Sequence, residues 1–381
     1  MILSSHRLNP FPVLALGLMS VAFGVVGHTR QAQAQNAKDD LQGKWNVIVA
    51  NQGYKDLLSK TEAPTIQIHE RRVTLALAST SITGPFQVDV TKKQNQFEMA
   101  LFSFQPNTNV WRGIYKTENG LLHLYAEPKA VIAEEGARRF DPFDFNSTIG
   151  VTLILKPEGA PLTLTQERYL RERQEKLDAI ERSLTALNHL KVIALTMGNY
   201  EGTYGAFPAA AICDKKTGKP LLSWRVSILP YIEQEALYKQ FKMDEPWDSE
   251  HNLKLAKNMP KIYFNPKANK PGDNKTHYRI FYGKGAAFEL NKGYSMGAIA
   301  SMDGLSNTLT VVEAEEPEVW TNPNEFAFDP TKALPKMLSV DGKFSAAFCD
   351  GSVRTFKMPI DQEILKLLIQ RNDGKPIPQV P

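Results

Sequence analysis

The side chains best suited to chemistry crowd into a few short stretches. "MDEPWDSEHN" (243–252) brings Asp244, Glu245, Asp248, Glu250 and His251 within ten positions, which raises calcium binding or an acid/base pair. Calcium takes six or more oxygens around one point. A segment turned by Pro246 and running into the helix-favouring "EHNLKLAKNM" (250–259) cannot supply them alone. A helix entry accounts for the same residues. Asp248 or Ser249 accepts a hydrogen bond from first-turn N–H groups, Glu250 lies at the positive helix end, and Lys254 and Lys257 lie toward the negative end. Asp244 and Glu245 are then solvated acids and Trp247 packs inward. The expectation is a structural motif without a metal.

"GYSMG" (293–297) fits the G-x-S-x-G nucleophile elbow, which needs a strand before it, a helix after it and a later histidine. The stretch after Ser295, "MGAIASMDG", reads as too short and turn-rich for that helix, and His277 is the last histidine of the chain. Ser295 is read as a glycine-flanked bend. The other histidines beyond residue 34, His69, His123, His189 and His251, form neither H-x-H nor H-E-x-x-H, and there is no phosphate loop. Glu315 and Glu316 are adjacent acids, most often solvated. Asp303-Gly304 and Asp350-Gly351 read as turns in which glycine supplies a positive φ. A calcium site at Asp303 or Asp350 lacks the ligand run it would need. Catalytic, cofactor and metal residues are therefore expected to be none.

Trp224, Tyr231, Trp247 and Trp320 are aromatic anchors. Core packing, with indole N–H groups finding local partners, is favoured over a partner or glycan groove. Cys213 and Cys349 are the only cysteines. Two thiols are favoured over a bridge, because spacing alone does not bring their Cα atoms within reach.

The elements that must position these residues suit two domains. The chain has 381 residues, 42% hydrophobic and 23% charged, the balance of a soluble globular protein. The net charge is +4, and residues 1–34 contribute Arg7 and Arg30 without an acid. The remainder, at about +2, offers no electrostatic case for nucleic acid or an anionic membrane. At the start, His6 and Arg7 precede an apolar run (11–27) and then Ala32-Gln33-Ala34. This is the pattern of a signal peptide cleaved after Ala34, with an uncleaved anchor as the competing reading. The mature chain is expected to be exported, periplasmic or extracellular, and to have no stable membrane span.

From Leu41 to Pro157 the pattern is period-2 alternation in eight short segments: "WNVIVA", "TIQIHE", "RVTLALA", "FQVDV", "QFEMALFS", "WRGIYK", "GLLHLYA" and "VTLILKP". Turns are expected at Gly84-Pro85, Lys92–Asn95, Pro106–Asn109 and Glu118-Asn119-Gly120. Eight antiparallel strands suffice to close a small barrel. Leu75, Leu77, Val88, Val90, Met99, Leu101, Leu153 and Leu155 are read as inward. "PEGAP" (157–161) ends this pattern. Leu177, Ile180, Leu184 and Leu187 then recur at helical spacing in 165–200, behind a charged front half. Residues 35–158 and 162–381 are expected to fold independently.

Two resemblances follow. "LQGKW", "GIYKTENGLLHLYAEP" and "GVTLILKP" resemble a lipocalin-like domain of unknown function found in planctomycete bacteria, and Gly43-Lys44-Trp45 resembles the lipocalin G-x-W. That implies a barrel plugged at one end by its tryptophan and able to hold a small apolar ligand. A mouth filled by side chains is favoured, because small barrels often have filled interiors. The ordered set "LNHLKVIALTMGNYEGTYGAFPAA", "LLSWRVSILPYIEQEALYKQF", "DEPWDSEHN", "MDGLSNTLTVVE" and "FCDGSVRTF" is similar to a pseudopilin-like planctomycete family numbered 1559 among domains of unknown function. It spans about 165–375 and implies a long helix packed on an antiparallel sheet. Two departures stand out. "LTLTQERYLRERQEKLDAIERS" replaces the usual apolar half-helix and cannot enter a bilayer at about 2.5–3.5 kcal/mol per charged residue. Asn265 stands in "YFNP" where relatives often carry cysteine.

The expected fold is α+β: a signal peptide (1–34), a lipocalin-like antiparallel β-barrel (41–157) and a pilin-like domain (165–375). The expected function is a non-catalytic exported binding or structural protein of the cell envelope. Its possible partners are envelope proteins or a small apolar ligand in the barrel, and not nucleic acid. The alternatives are an accessory of a secretion or pilus system, or an enzyme of unidentified reaction.

Overall fold

The computed structural model describes residues 41–52, 55–56, 58, 64–77, 80–89, 96–100, 110–128 and 150–378. The signal segment, the turns at Lys92–Asn95 and Pro106–Asn109, Val90, Leu101 and the Leu77 side chain lie outside the described residues. The chain divides into two compact units, Met1–Leu177 and Asp178–Pro381.

The first unit contains β1 (Gly43–Gln52), β2 (Lys55–Asp56), β3 (Thr65–His69), β4 (Arg72–Leu77), β5 (Thr80–Asp89), β6 (Gln96–Ala100), β7 (Val110–Glu118), β8 (Leu121–Pro128) and β9 (Val151–Pro157). The two-residue β2 pairs only with the end of β1. The other eight form an antiparallel meander, and β1 also pairs with β9, from Trp45↔Pro157 to Gln52↔Val151. This closes an eight-stranded barrel and leaves its ladder without free edges. A register shift between Val47 and Val49 bends β1, as a bulge does. Alternation sets the inside: Ile66 and Ile68 are buried while Gln67 and His69 are exposed.

Asn119 (φ 54°) and Gly120 (φ 70°) make the two-residue β7–β8 loop, whose two positive φ values favour Asn-Gly. Gly84-Pro85, in contrast, is not a turn. It lies inside β5, where Val73↔Gly84 and Arg72↔Pro85 pair with β4. Phe86 to Asp89 pair with β6 on the other side.

The helix α1 (Leu164–Tyr204) has 41 residues. Its start carries a reciprocal cap: Gln166 N–H donates to Thr163 Oγ1 at 3.3 Å and Thr163 N–H donates to Gln166 Oε1 at 3.0 Å, a capping box. The charged front turns belong to the first unit and the remainder to the second.

The second unit continues with β10 (Ala211–Cys213), β11 (Pro220–Ser223), α2 (Trp224–Ser227), α3 (Glu235–Tyr238), α4 (Glu250–Leu255), β12 (Lys275–Arg279), β13 (Phe281–Tyr282), α5 (Met296–Ala300), β14 (Leu309–Val319), β15 (Phe326–Ala327), β16 (Lys343–Phe348), β17 (Val353–Lys357) and α6 (Gln362–Ile369). An antiparallel sheet runs β12-β14-β16-β17. Its faces follow strand parity. Val311 and Ala347 pack with Leu190, Ile193, Ala194 and Met197 of α1. Val312, Phe344, Ala346 and Phe348 pack with Leu365, Leu368 and Ile369 of α6. A sheet covered on both faces needs continuous hydrophobic strands, which accounts for the unbroken burial of Leu309 to Ala314. The fold is mixed α+β, a closed antiparallel barrel followed by a long helix on an antiparallel sheet.

Candidate functional site

Hydrophobic alternation in the barrel packs most of its inside. Leu41, Ile68, Val73, Phe86, Leu122 and Leu155 are buried together. Trp45 packs against this core and donates its indole N–H to Leu41 O at 3.1 Å. Further along the strands the packing stops short. A cavity of about 200 Å3 is lined by Val47, Ala50, Pro64, Leu75, Phe97, Met99, Trp111, Leu124, Ala126, Val151 and Leu153. Every lining side chain among the described residues is apolar. The barrel interior is therefore not filled by side chains, contrary to the expectation. Alanines at 50 and 126, which β1 and β8 turn inward, leave the space that larger side chains would occupy. An apolar cavity of about 150 Å3 stays dry and admits benzene, so this one can receive a small apolar molecule and offers it no hydrogen bond.

Three of the inward residues named from the sequence, Leu75, Met99 and Leu153, line this cavity, and Leu155 and Val88 pack beside it. Phe97, Trp111, Leu124 and Ala126 were missed, although Phe97 precedes Met99 by two residues and shares its face by the period-2 rule.

The polar candidates are dispersed and structural. Ser295 does not sit in a bend: it caps the five-residue α5, accepting from Ala298 N–H at 3.1 Å. Its φ of −75° is unstrained, unlike a nucleophile elbow. In the acidic stretch, Ser249 caps α4 by accepting from Asn252 N–H at 3.1 Å, and Glu250 pairs with Lys254 at 2.8 Å. The helix ends at Leu255, short of Met259, and its Ala256 carbonyl is captured by the Trp320 indole N–H at 2.8 Å. Asp350 accepts from Ser352 N–H at 2.9 Å in the β16–β17 turn, where Gly351 has φ 81°. Asp303 accepts from Asp373 and Gly374 N–H at 2.8 and 3.0 Å. Glu315 and Glu316 are exposed. Among the described residues, no three His, Cys, Asp or Glu side chains converge to hold a metal.

His189 donates to Phe264 O, His251 to Gln240 O and His277 to Ala314 O, each at 2.8 Å. Burial depresses the pKa of His189 and His277. Cys213 and Cys349 are free thiols, the second buried and its pKa pushed up by desolvation. Trp224 and Trp320 are fully buried, while Tyr231 and Trp247 are half-buried.

Two buried ionic clusters had no signal in the sequence. Glu325, fully buried, meets Arg225 at 2.7 Å and Arg279 at 3.2 Å. It also accepts from Trp224 Nε1 at 3.2 Å and Ile280 N–H at 3.0 Å. Arg225 and Arg279 spend further donors on the carbonyls of Tyr278 and Asn324. Glu313 accepts from Lys267, Asn265 Nδ2 and Ser345 N–H. Their charges are consumed by neighbouring protein groups, which suits a structural role.

Residues 181–262 match the model of a family described as a protein of unknown function, DUF1559. The matched segment runs from within α1 through α4 and carries the buried Arg225, the Ser249 cap and Asn252. The barrel lies outside it. No curated protein and no solved structure matches the chain. Among the described residues, no helix is long and apolar enough to cross a membrane.

Proposed function

We propose that this is an exported, non-catalytic binding protein of the cell envelope whose barrel takes a small apolar ligand. The observation that carries the reading is the cavity itself: about 200 Å3, with apolar side chains at every lining position among the described residues. Binding pockets combine such walls with a few orienting polar groups. Without polar groups, the part of the ligand inside must be an alkyl or aryl moiety driven in by desolvation. The export element rests on the apolar run and Ala32-Gln33-Ala34 of the sequence.

The test uses N-phenyl-1-naphthylamine, an apolar fluorescent probe. The protein should bind it saturably with a blue-shifted emission, and hexane or benzene should compete. Ala126→Leu, which fills the cavity, should weaken binding at least tenfold while leaving the melting temperature unchanged or raised. Equal binding by wild type and Ala126→Leu would remove the barrel as the site.

A further inference from the structure

If the barrel binds an apolar guest, as proposed above, its wall narrows the class of that guest. The cavity is short along the strands. Among the described residues, no strand turns more than two successive inward side chains into it: Phe97 and Met99 on β6, Leu124 and Ala126 on β8, Val151 and Leu153 on β9. One inward step beyond, Leu155 on β9, Leu122 on β8 and Val73 on β4 are buried in the barrel core and close the floor. Toward the strand ends, Val151 is the first residue of β9, Trp111 the second of β7, and Pro64 immediately precedes β3. The cavity is therefore the last layer of the barrel. Successive inward side chains stand about 7 Å apart, the length of about six extended methylenes. Across the barrel the space is broader, with lining residues on β1, β4 and β6 through β9.

One part of the wall is aromatic and held in place. In the β6–β7 ladder Met99 pairs with Trp111 and Phe97 with Gly113. The Phe97 ring fills the space that a side chain at 113 would take: a Cβ there would stand 2.8 Å from Phe97 Cζ. The same ring stacks with Phe86, centroids 6.0 Å apart and planes at 29°. Moving Phe97 aside would break that stack and open a gap over Gly113, which close packing opposes. Trp111 is half-buried and packs on the same core. Met99, beside it in the ladder, carries a thioether, which makes favourable contacts with aromatic rings.

We propose that the guest is a planar aryl group of one or two fused rings, taken in preference to a fatty chain. A broad, short layer suits a flat ring system. The ring meets Phe97 and Trp111 in offset or edge-on contacts that add to its area burial. A chain entering the same layer buries only about six carbons along its length, and carbons left in water bring no further gain. Coiling more of it inside freezes rotations that a rigid ring never loses. A polar substituent on either guest stays at the strand ends.

The experiment is displacement of bound N-phenyl-1-naphthylamine from the full chain by n-alkanols from hexanol to dodecanol and by 2-naphthylmethanol. Affinity along the alkanols should level off by octanol, whereas a chain-binding cavity would go on gaining about fourfold per methylene. After correction for transfer from water to hydrocarbon, 2-naphthylmethanol should bind at least fivefold more tightly than octanol. Trp111→Leu should weaken 2-naphthylmethanol at least fivefold and octanol less than twofold. A gain of about fourfold per carbon sustained to dodecanol would overturn the aryl assignment and leave the barrel as a binding site. Equal losses for the two compounds in Trp111→Leu would do the same. The alkanol series on the wild type decides the matter if that variant does not fold. Failure of the wild type to bind the probe at all would instead remove the barrel as a site, and the aryl assignment with it.

Discussion

The barrel and the helix-on-sheet unit solve the burial of backbone polar groups in opposite ways. In the barrel, closure of β1 on β9 gives the strands ladder partners on both sides, so the interior needs no polar side chain and can even be left partly hollow. In the second unit, long irregular stretches between α1 and β12 and between β13 and β14 bring unpaired carbonyls and N–H groups inside, where each must find a partner. Buried side chains supply them. Asn252 is fully buried, and its amide serves the carbonyls of Lys242, Glu245 and Pro246 and the N–H of Lys242. Arg225, Arg279 and Glu325 do the same around β12 and β15. The barrel thus holds an apolar cavity, while the second unit commits buried polar side chains to its own backbone.

The largest effect should come from breaking the ionic cluster. Glu325→Ala leaves Arg225 and Arg279 buried without their carboxylate, a loss of about 3–5 kcal/mol. In urea unfolding of the full chain, the transition of the second unit should move to much lower denaturant while probe binding by the barrel survives. If both transitions shift together, the two units do not bear their loads separately. A smaller loss is expected for Asn252→Ala, which strands several buried backbone groups at once. It should cost about 1–3 kcal/mol, again in the second unit alone.

How much of this was legible follows the same division. The barrel could be read because alternation is a property of neighbouring residues: each strand announces its inside two positions at a time, and Asn119-Gly120 announces its turn. The helix could be read from Leu177, Ile180, Leu184 and Leu187, but its buried face could not: Ile180 and Leu184 are exposed, and Leu190, Ile193 and Met197 face the core. The cavity was not legible, because hollowness is a sum over eight strands. Ala50 and Ala126 look like ordinary small residues until they face the same space. The ionic clusters were hidden by distance in the chain. Arg225 and Glu325 stand 100 positions apart, and nothing local distinguishes them from solvated charges. Gly84-Pro85 misled because proline ends most strands, yet here β5 runs through it in register with Val73 and Arg72 of β4.

The smallest effect concerns the acidic stretch, and it discriminates sharply because two adjacent residues were equally eligible caps. The geometry chooses Ser249, whose hydroxyl accepts from Asn252 N–H while its backbone stays extended (φ −58°, ψ 152°). Ser249→Ala should cost about 1 kcal/mol, the usual worth of an N-cap, and Asp248→Ala should stay within about 0.5 kcal/mol as a surface change. The cap also orients Asn252, so Ser249→Ala and Asn252→Ala should be less than additive when combined, as contacting residues are. Thermal melts of the wild type and these four variants, with excess calcium and with chelator, check this directly. The carboxylates here face different tasks: Glu245 pairs with Lys242 and Glu250 with Lys254, each at 2.8 Å. Calcium should therefore leave every melting temperature where it was. A calcium-dependent rise in the wild type that Asp248→Ala removes would return this stretch to the ranks of metal sites, and would place a ligand in the second unit as well as the one proposed for the barrel.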